Sequence, residues 1–261
     1  MKPSELFNLE GRVAMVPGGG GGIGSALAAG LCEAGADLAI VDRSGSGLKA
    51  SCSLVEELGK APLAITADLT DRDEAERAVA EVMERFGRLD IIVNAIGGGA
   101  GKVLFDAEEY PKDAWDWIID LNLTSTLVAT QAAVKAMIQG GRGGKVVNIS
   151  SVRGQLGINA GYSAYVAAKG AVSSLTRQWA TEWAKHNITV NAISPTFVDT
   201  PQVAMLLDDP DFKAGIISRV PLGRVGQPAD LLGPILLFCS DASAFVTGQI
   251  LTIDGGLTAT Q

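Results

Sequence analysis

Residues Arg12 to Gly35 constrain the fold more than any other stretch. A short apolar run, Val13-Ala14-Met15-Val16, leads into an unbroken run of glycines, Gly18 to Gly22. Ile23-Gly24 and an Ala/Leu-rich segment follow. Apolar strand, glycine turn and helix together form the opening unit of a dinucleotide-binding α/β fold. Glycine tolerates positive φ and lets the backbone approach a pyrophosphate closely. The first turn of the helix then presents free N–H groups and a positive dipole end to that anion. The spacing is G-x-x-x-G-x-G at Gly18, Gly22 and Gly24, not G-x-G-x-x-G. The plain alternative is a flexible glycine loop, and the rest of the chain decides between the two.

The chain has 261 residues, enough for one α/β domain with a sizeable core. Its net charge of −8 argues against a nucleic-acid-binding surface. Cys32, Cys52 and Cys239 are scattered without a C-x-x-C pair, and His186 is the single histidine. Such a set suits reduced thiols in a cytoplasmic protein and gives no zinc site, so no metal is expected. The N-terminal residues lack the apolar core of a signal peptide. Leu231 to Cys239 is the most apolar later stretch; it contains Gly233 and Pro234 and is too short to span a membrane. Neither a membrane nor a nucleic acid is expected as a partner.

Strands are expected at Val13–Val16, Asp37–Val41, Pro62–Ala67, Leu89–Val93, Lys145–Ile149, Ile188–Ile193 and Gln249–Ile253, alternating with helical segments. Helices are expected from Ile23 with Gly35 as C-cap, and over Ser44–Leu58, Asp71–Phe86, Pro111–Gln139, from Tyr162 onward, and over Gln227–Phe238. The alternation implies an α/β fold with a parallel sheet of about seven strands and helices on both faces. Asp42 ends the second strand, where an acid can accept hydrogen bonds from ribose hydroxyls. A 2′-phosphate there would face a carboxylate at a cost on the order of a few kcal/mol at ~4 Å. NAD(H) is therefore expected over NADP(H), with Arg43 next door as the residue that could accept a phosphate. Asp68 ends the third strand, where ligands of open sheets bind, or else caps the next helix. Asn122 lies inside a helical stretch, where asparagine is disfavoured without a reason. Tyr165 and Lys169 are four apart and share one helical face; Tyr162 is paired instead with Val166. Trp179 and Trp183 continue that helix as core or interface, and His186 suits its C-terminal end.

The glycine loop, Asn94, Asn122, Ser150-Ser151 and Tyr165-x-x-x-Lys169, in this order, resemble the short-chain dehydrogenase/reductase family over essentially the whole chain. The resemblance implies one Rossmann-type, doubly wound domain over 1–261. It implies a metal-independent mechanism with Asn122, Ser151, Tyr165 and Lys169 as catalytic residues, Ser150 being the alternative to Ser151. Tyr165 would be the base, its pKa lowered by the Lys169 ammonium; Ser151 would donate to the substrate oxygen, and Asn122 would hold a water on the proton path. The cofactor would meet Gly18, Gly22, Ile23, Gly24, Asp42 and Arg43. Asp68 would meet the adenine amino group, with Leu69 beside the ring. Asn94 and Gly97 would pass beneath the cofactor, Tyr165 and Lys169 would face its nicotinamide end, and Pro195, Val198 and Thr200 would hold the carboxamide.

The segment 196–221 would be the substrate lid. A homotetramer would assemble through Pro111–Gln139, Tyr162–His186 and Gln249–Gly256. The chain departs from the family pattern at Pro17 (usually Thr), at Ala95-Ile96 (usually Asn-Ala) and at Thr196 (usually Gly). The expected activity interconverts a secondary alcohol and a ketone on a small substrate of the sugar, polyol or gluconate type. A 3-oxoacyl reductase is the alternative enzyme, and a catalytically silent NAD-binding regulator the alternative of another class. Ser151, Tyr165 and Lys169 being intact weighs against the regulator.

Overall fold

In the computed structural model, the backbone of residues 2–260 is described, with side chains for all of these except Pro3, Ser4, Ala100, Met205 and Leu206. Met1 and Gln261, the ends of the expected 1–261 domain, lie outside the described residues. The strands are β1 (Val13–Pro17), β2 (Asp37–Asp42), β3 (Leu63–Thr66), β4 (Ile91–Asn94), β5 (Gly144–Ile149), β6 (Ile188–Pro195) and β7 (Ile250–Ile253). They form one sheet in the order β3-β2-β1-β4-β5-β6-β7, parallel throughout. The order reverses between β1 and β4, and ligands of such sheets bind outside the strand ends at that switch point.

Helices cover both faces: α1 (Gly22–Glu33), α2 (Gly45–Glu57), α3 (Arg72–Phe86), α4 (Lys112–Ile119), α5 (Ser125–Gly140), α6 (Ser163–Trp183), α7 (Ala204–Leu207), α8 (Pro210–Ile217) and α9 (Leu232–Cys239). The strands are near-continuous apolar runs because both faces are buried. Alternate residues divide between the two cores. Val13, Met15, Ala39 and Val41 pack with α3, α5 and Trp179 of α6. Ala14, Val16, Leu38 and Ile40 pack with α1, α2 and α9. Each fully buried Leu or Ile in these layers contributes about 1.5–3 kcal/mol.

Several local expectations change. The C-cap of α1 is Ala34, and Gly35 follows at φ 105°. Gly35 N–H bonds Cys32 O and Ala36 N–H bonds Leu31 O, the paired closure that needs a left-handed residue after the cap. Asp71, not Asp68, caps α3, its carboxylate accepting from the N–H groups of Asp73 and Glu74. The helix expected over Pro111–Gln139 is broken by a π turn, Asp120–Thr124, between α4 and α5. The region after Pro201 holds two short helices, α7 and α8.

Pro17 has a cost that can be read in the ladder. Gly18 N–H bonds Val41 O of β2, so position 17 faces β4. Its carbonyl accepts from Ala95 N–H at 2.9 Å, but a proline has nothing to donate back. The β1–β2 register runs to Pro17↔Val41, whereas the β1–β4 register stops at Met15↔Ile92.

Candidate active site

At the carboxyl ends of the strands lies a cavity of about 540 Å³, lined by the glycine loop, the ends of β2 to β6 and the segment after Pro195. The glycine loop is tightly built. Gly18 has φ 75°, and a Cβ there would lie 2.7 Å from the Ala95 carbonyl carbon. A Cβ on Gly24 would lie 2.2 Å from Gly18 O, and one on Gly20 would lie 2.9 Å from the backbone of Gly47. The run of glycines is thus a packed turn, not a loose one. No side chain caps α1 at Gly21, so its first-turn N–H groups keep their capacity for an anion.

Asp42 is drawn into this turn. Its carboxylate accepts from Gly20 N–H at 3.0 Å and from Ser44 N–H at 2.8 Å. Asp68 accepts from Thr70 through both N–H and hydroxyl. These bonds hold its carboxyl below the usual range, with a smaller contribution from Arg43. Arg43 therefore lies in the field of Asp68 as well as beside Asp42. Leu69 is buried and lines the same end of the cavity.

Asn94 works inside the sheet. Its amide donates to Thr130 Oγ1 and Asn148 Oδ1, both at 2.8 Å, and Asn148 donates to Thr176 Oγ1 at 2.9 Å. This buried ladder ties β4 and β5 to α5 and α6; each bond is worth about 0.5–1.5 kcal/mol net, and a lost partner costs more than that. Gly97, Gly98 and Gly99 follow, all with positive φ. Asn122 sits in the π turn and is fully buried. Its Oδ1 accepts from Gly98 N–H at 2.8 Å, while its Nδ2 donates to Gly98 O and Ile118 O, both at 3.0 Å. The amide is therefore a clamp on the glycine loop. A Cβ on Gly97 would lie 2.7 Å from Asn122 Oδ1 and 2.8 Å from Lys169 Nζ, so these groups converge on one point.

The two serines separate cleanly. Ser150 Oγ turns away, bonding Ser173 Oγ at 2.7 Å and Lys169 O at 3.0 Å. Ser151 lines the cavity with Tyr165; its Oγ accepts from Arg153 N–H at 3.1 Å and donates to Pro195 O at 3.5 Å. Tyr165 and Lys169 share one face of α6, with Nζ 5.8 Å from the ring centroid and donating to Ile149 O at 2.9 Å. Burial pulls Lys169 down to about 8. The Tyr165 phenol is raised, not lowered: burial prevails, opposed by the nearby Ser151 hydroxyl and the charge of Arg153. Tyr162 packs edge-on to Tyr165, the ring centroids 6.3 Å apart.

Pro195, Val198 and Thr200 line the same cavity opposite α1, and Gly22 packs against Thr200. Thr196, which also lines it, has a buried hydroxyl without a partner among the described residues. The cradle that added Cβ atoms would fill, the uncapped α1 and the orphaned Thr196 hydroxyl together fit a dinucleotide with a carboxamide end. Sequence reasoning missed two residues here. Gln202 donates to Gly97 O at 3.4 Å across the cavity mouth, and nothing in the sequence marks it. Arg153 lines the cavity beside Ser151, and the signal available was an arginine two residues after the strand-end serines. Among the described residues no group of His, Cys, Asp or Glu is placed to hold a metal ion, and no helix is long and apolar enough to cross a membrane.

A family model described as enoyl-(acyl carrier protein) reductase matches residues 19–258. The 2-dehydro-3-deoxy-D-gluconate 5-dehydrogenase of Escherichia coli (strain K12) is 39% identical over 257 residues, covering 97% of this chain and 98% of that protein. The 3-oxoacyl-[acyl-carrier-protein] reductase of Thermotoga maritima is 38% identical over 254 residues, covering 96% and 99%. The crystal structure of a gluconate 5-dehydrogenase from Burkholderia cenocepacia J2315, in complex with NADP and tartrate, superposes with a TM-score of 0.90 at 34% identity, covering 99% of each chain.

Proposed function

Because the chain belongs to the short-chain dehydrogenase/reductase family, a family of nicotinamide-dependent oxidoreductases, we propose that it interconverts a secondary alcohol and a ketone on a small polar substrate with NAD(H). The observation that carries this reading is the convergence of Ser151, Tyr165 and Lys169 on the cavity bordered by the glycine turn. A substrate of the sugar, polyol or hydroxy-acid type is supported by the gluconate-acting names of relatives at 39% and 36% identity. The Thermotoga relative favours a 3-oxoacyl reductase as the second reading.

Gly18, Gly22, Ile23 and Gly24 would hold the pyrophosphate, Asp42 the adenosine ribose, and Asp68 and Leu69 the adenine. Asn94 and Gly97 would shape the floor, with Pro195, Val198, Thr200 and the Thr196 hydroxyl at the carboxamide. When bound, the nicotinamide supplies the hydride acceptor or donor. Tyr165 takes the alcohol proton as the phenolate, and as the phenol returns it to the carbonyl oxygen. Ser151 donates to that same substrate oxygen. Lys169 binds ribose and presents a positive charge to the phenolate. Asn122 acts as a positioning residue, since its amide is used on Gly98 and Ile118 and fixes the loop beside Lys169. The segment 196–221 closes over the substrate, with Gln202 as its first contact to the Gly97 loop. Turnover of a panel of sugars, polyols and hydroxy acids with NAD tests the reading; no turnover across the panel and across 3-oxoacyl substrates would leave the silent regulator.

Asp42 sets the cofactor preference. Both its carboxylate oxygens are fixed by backbone donors, so the charge cannot swing away from a 2′-phosphate. NADH should bind more tightly than NADPH in fluorescence titrations, and Asp42→Ala should narrow the gap. Equal or reversed affinities in the parent would mean that Arg43 dominates.

The assembly we propose is a homotetramer built on α4–α5, α6 and β7. β7 is an edge strand with Leu251 exposed, and nearby Phe245 is fully exposed. An exposed edge and aromatic invite a partner. Sedimentation should give a tetramer, with a dimer as the smaller alternative; a stable monomer at micromolar concentration would refute it.

A further inference from the structure

Arg153 is the buried charge that the reaction scheme leaves unused. It is 8% exposed, yet among the described residues only one of its side-chain donors meets an acceptor, Nη1 to Gly157 O at 3.0 Å. A guanidinium has five N–H donors and no way to lose its charge in the neutral range. Among the described residues no carboxylate forms an ion pair with it. The charged and titratable groups that face it are another cation, Arg219, and the phenols of Tyr162 and Tyr165. Burial of an arginine without a counter-charge is costly unless an anion completes it.

The position of Arg153 says where that anion goes. It follows Ser151 by two residues, and its backbone N–H bonds Ser151 Oγ at 3.1 Å. It lines the same cavity as Ser151, Tyr162 and Tyr165. Lys102 lines this cavity from the loop after Gly99. The lining that holds Arg153 and Lys102 also includes the Asp120 carboxylate, which among the described residues forms no ion pair with Arg153.

We propose that Arg153 is a substrate-binding residue that receives a carboxylate, so that the substrate is a hydroxy acid or its oxo acid and not a neutral polyol. The inference rests on the oxidoreductase reading of the site and narrows its substrate class. A planar guanidinium with free donors matches a carboxylate bidentately. One buried arginine neutralises one negative charge, which suits a carboxylate better than a phosphate dianion.

The test uses matched pairs that differ in one group: D-gluconate against D-glucitol, and D-glycerate against glycerol. Each is titrated calorimetrically into the full-length enzyme with NADH bound, and each is assayed for oxidation with NAD. The parent should bind the acids at least ~10-fold more tightly than the alcohols, the size of a charge-assisted hydrogen bond. Arg153→Met should remove that preference, raising KM for acids more than it lowers kcat, and Arg153→Lys should restore part of it. The melting temperature and NADH affinity of both variants identify any general damage to the loop; Arg153→Lys, which keeps the charge, carries the test if Arg153→Met does not fold. Two results overturn the inference: no preference for acids in the parent, or a preference that survives in Arg153→Met. If glucitol and glycerol are oxidised as well as the acids, the inference fails while the oxidoreductase reading stands. If the acids bind through Arg153 but nothing is turned over, the anion site stands and the oxidoreductase reading fails.

Discussion

Tyr165→Phe should lower turnover by at least ~100-fold, the lower end of a general acid–base contribution. The substitution keeps the ring packed against Tyr162 and under Lys169 and removes only the oxygen that exchanges the proton. NADH binding should be nearly unchanged. The direction of the pH profile follows from the site. Burial holds the Tyr165 phenol above its ordinary value, so it is protonated at neutral pH in the protein alone. Alcohol oxidation needs the phenolate and should quicken as pH rises; carbonyl reduction needs the phenol and should slow. Lys169, pulled down to about 8 by burial, carries its charge on the acid side of that value. Tyr162→Phe is the control and should keep most of the activity, since position 166 is a valine. A dead Tyr162→Phe beside a normal Tyr165→Phe would reverse the assignment; two fully active variants would remove the mechanism.

Gly24→Ala should be nearly as damaging, but through the cofactor. The added Cβ would lie 2.2 Å from Gly18 O and 2.8 Å from Gly19 Cα, both backbone atoms of the same turn. Neither can rotate aside, so the turn or the start of α1 must shift. Overpacking of this kind costs about 1–3 kcal/mol. NADH affinity should fall at least ~10-fold and the melting temperature should drop. Gly45→Ala supplies the contrast, because a Cβ there meets nothing within 4 Å. If Gly24→Ala binds NADH like the parent, the glycine turn is not the cradle of the pyrophosphate.

The layered parallel sheet was legible because its signals are local. Apolar runs such as Val13–Val16 and Asp37–Val41 read as buried strands, the glycine turn marks the first strand-to-helix junction, and Tyr165 and Lys169 fall on one face by helical period alone. The order of elements and the identity of the strand-end residues therefore follow from local pattern alone. It did not determine which of two adjacent serines serves the site. That depends on Ser173 and Lys169, which lie across space from β5 and draw Ser150 inward. Nor did it determine what Asn122 holds, since Gly98 is distant in sequence and meets the amide only because a π turn aims it there. The direction of the Tyr165 shift was decided the same way. Spacing puts an ammonium one turn away, but burial of the phenol sets the balance. Arg153 is the clearest case: its residue type is written in the chain, while its burial without an ion-pair partner among the described residues exists only once the fold has formed. Periodicity and turn chemistry act between neighbours, whereas burial and charge pairing are properties of the assembled volume.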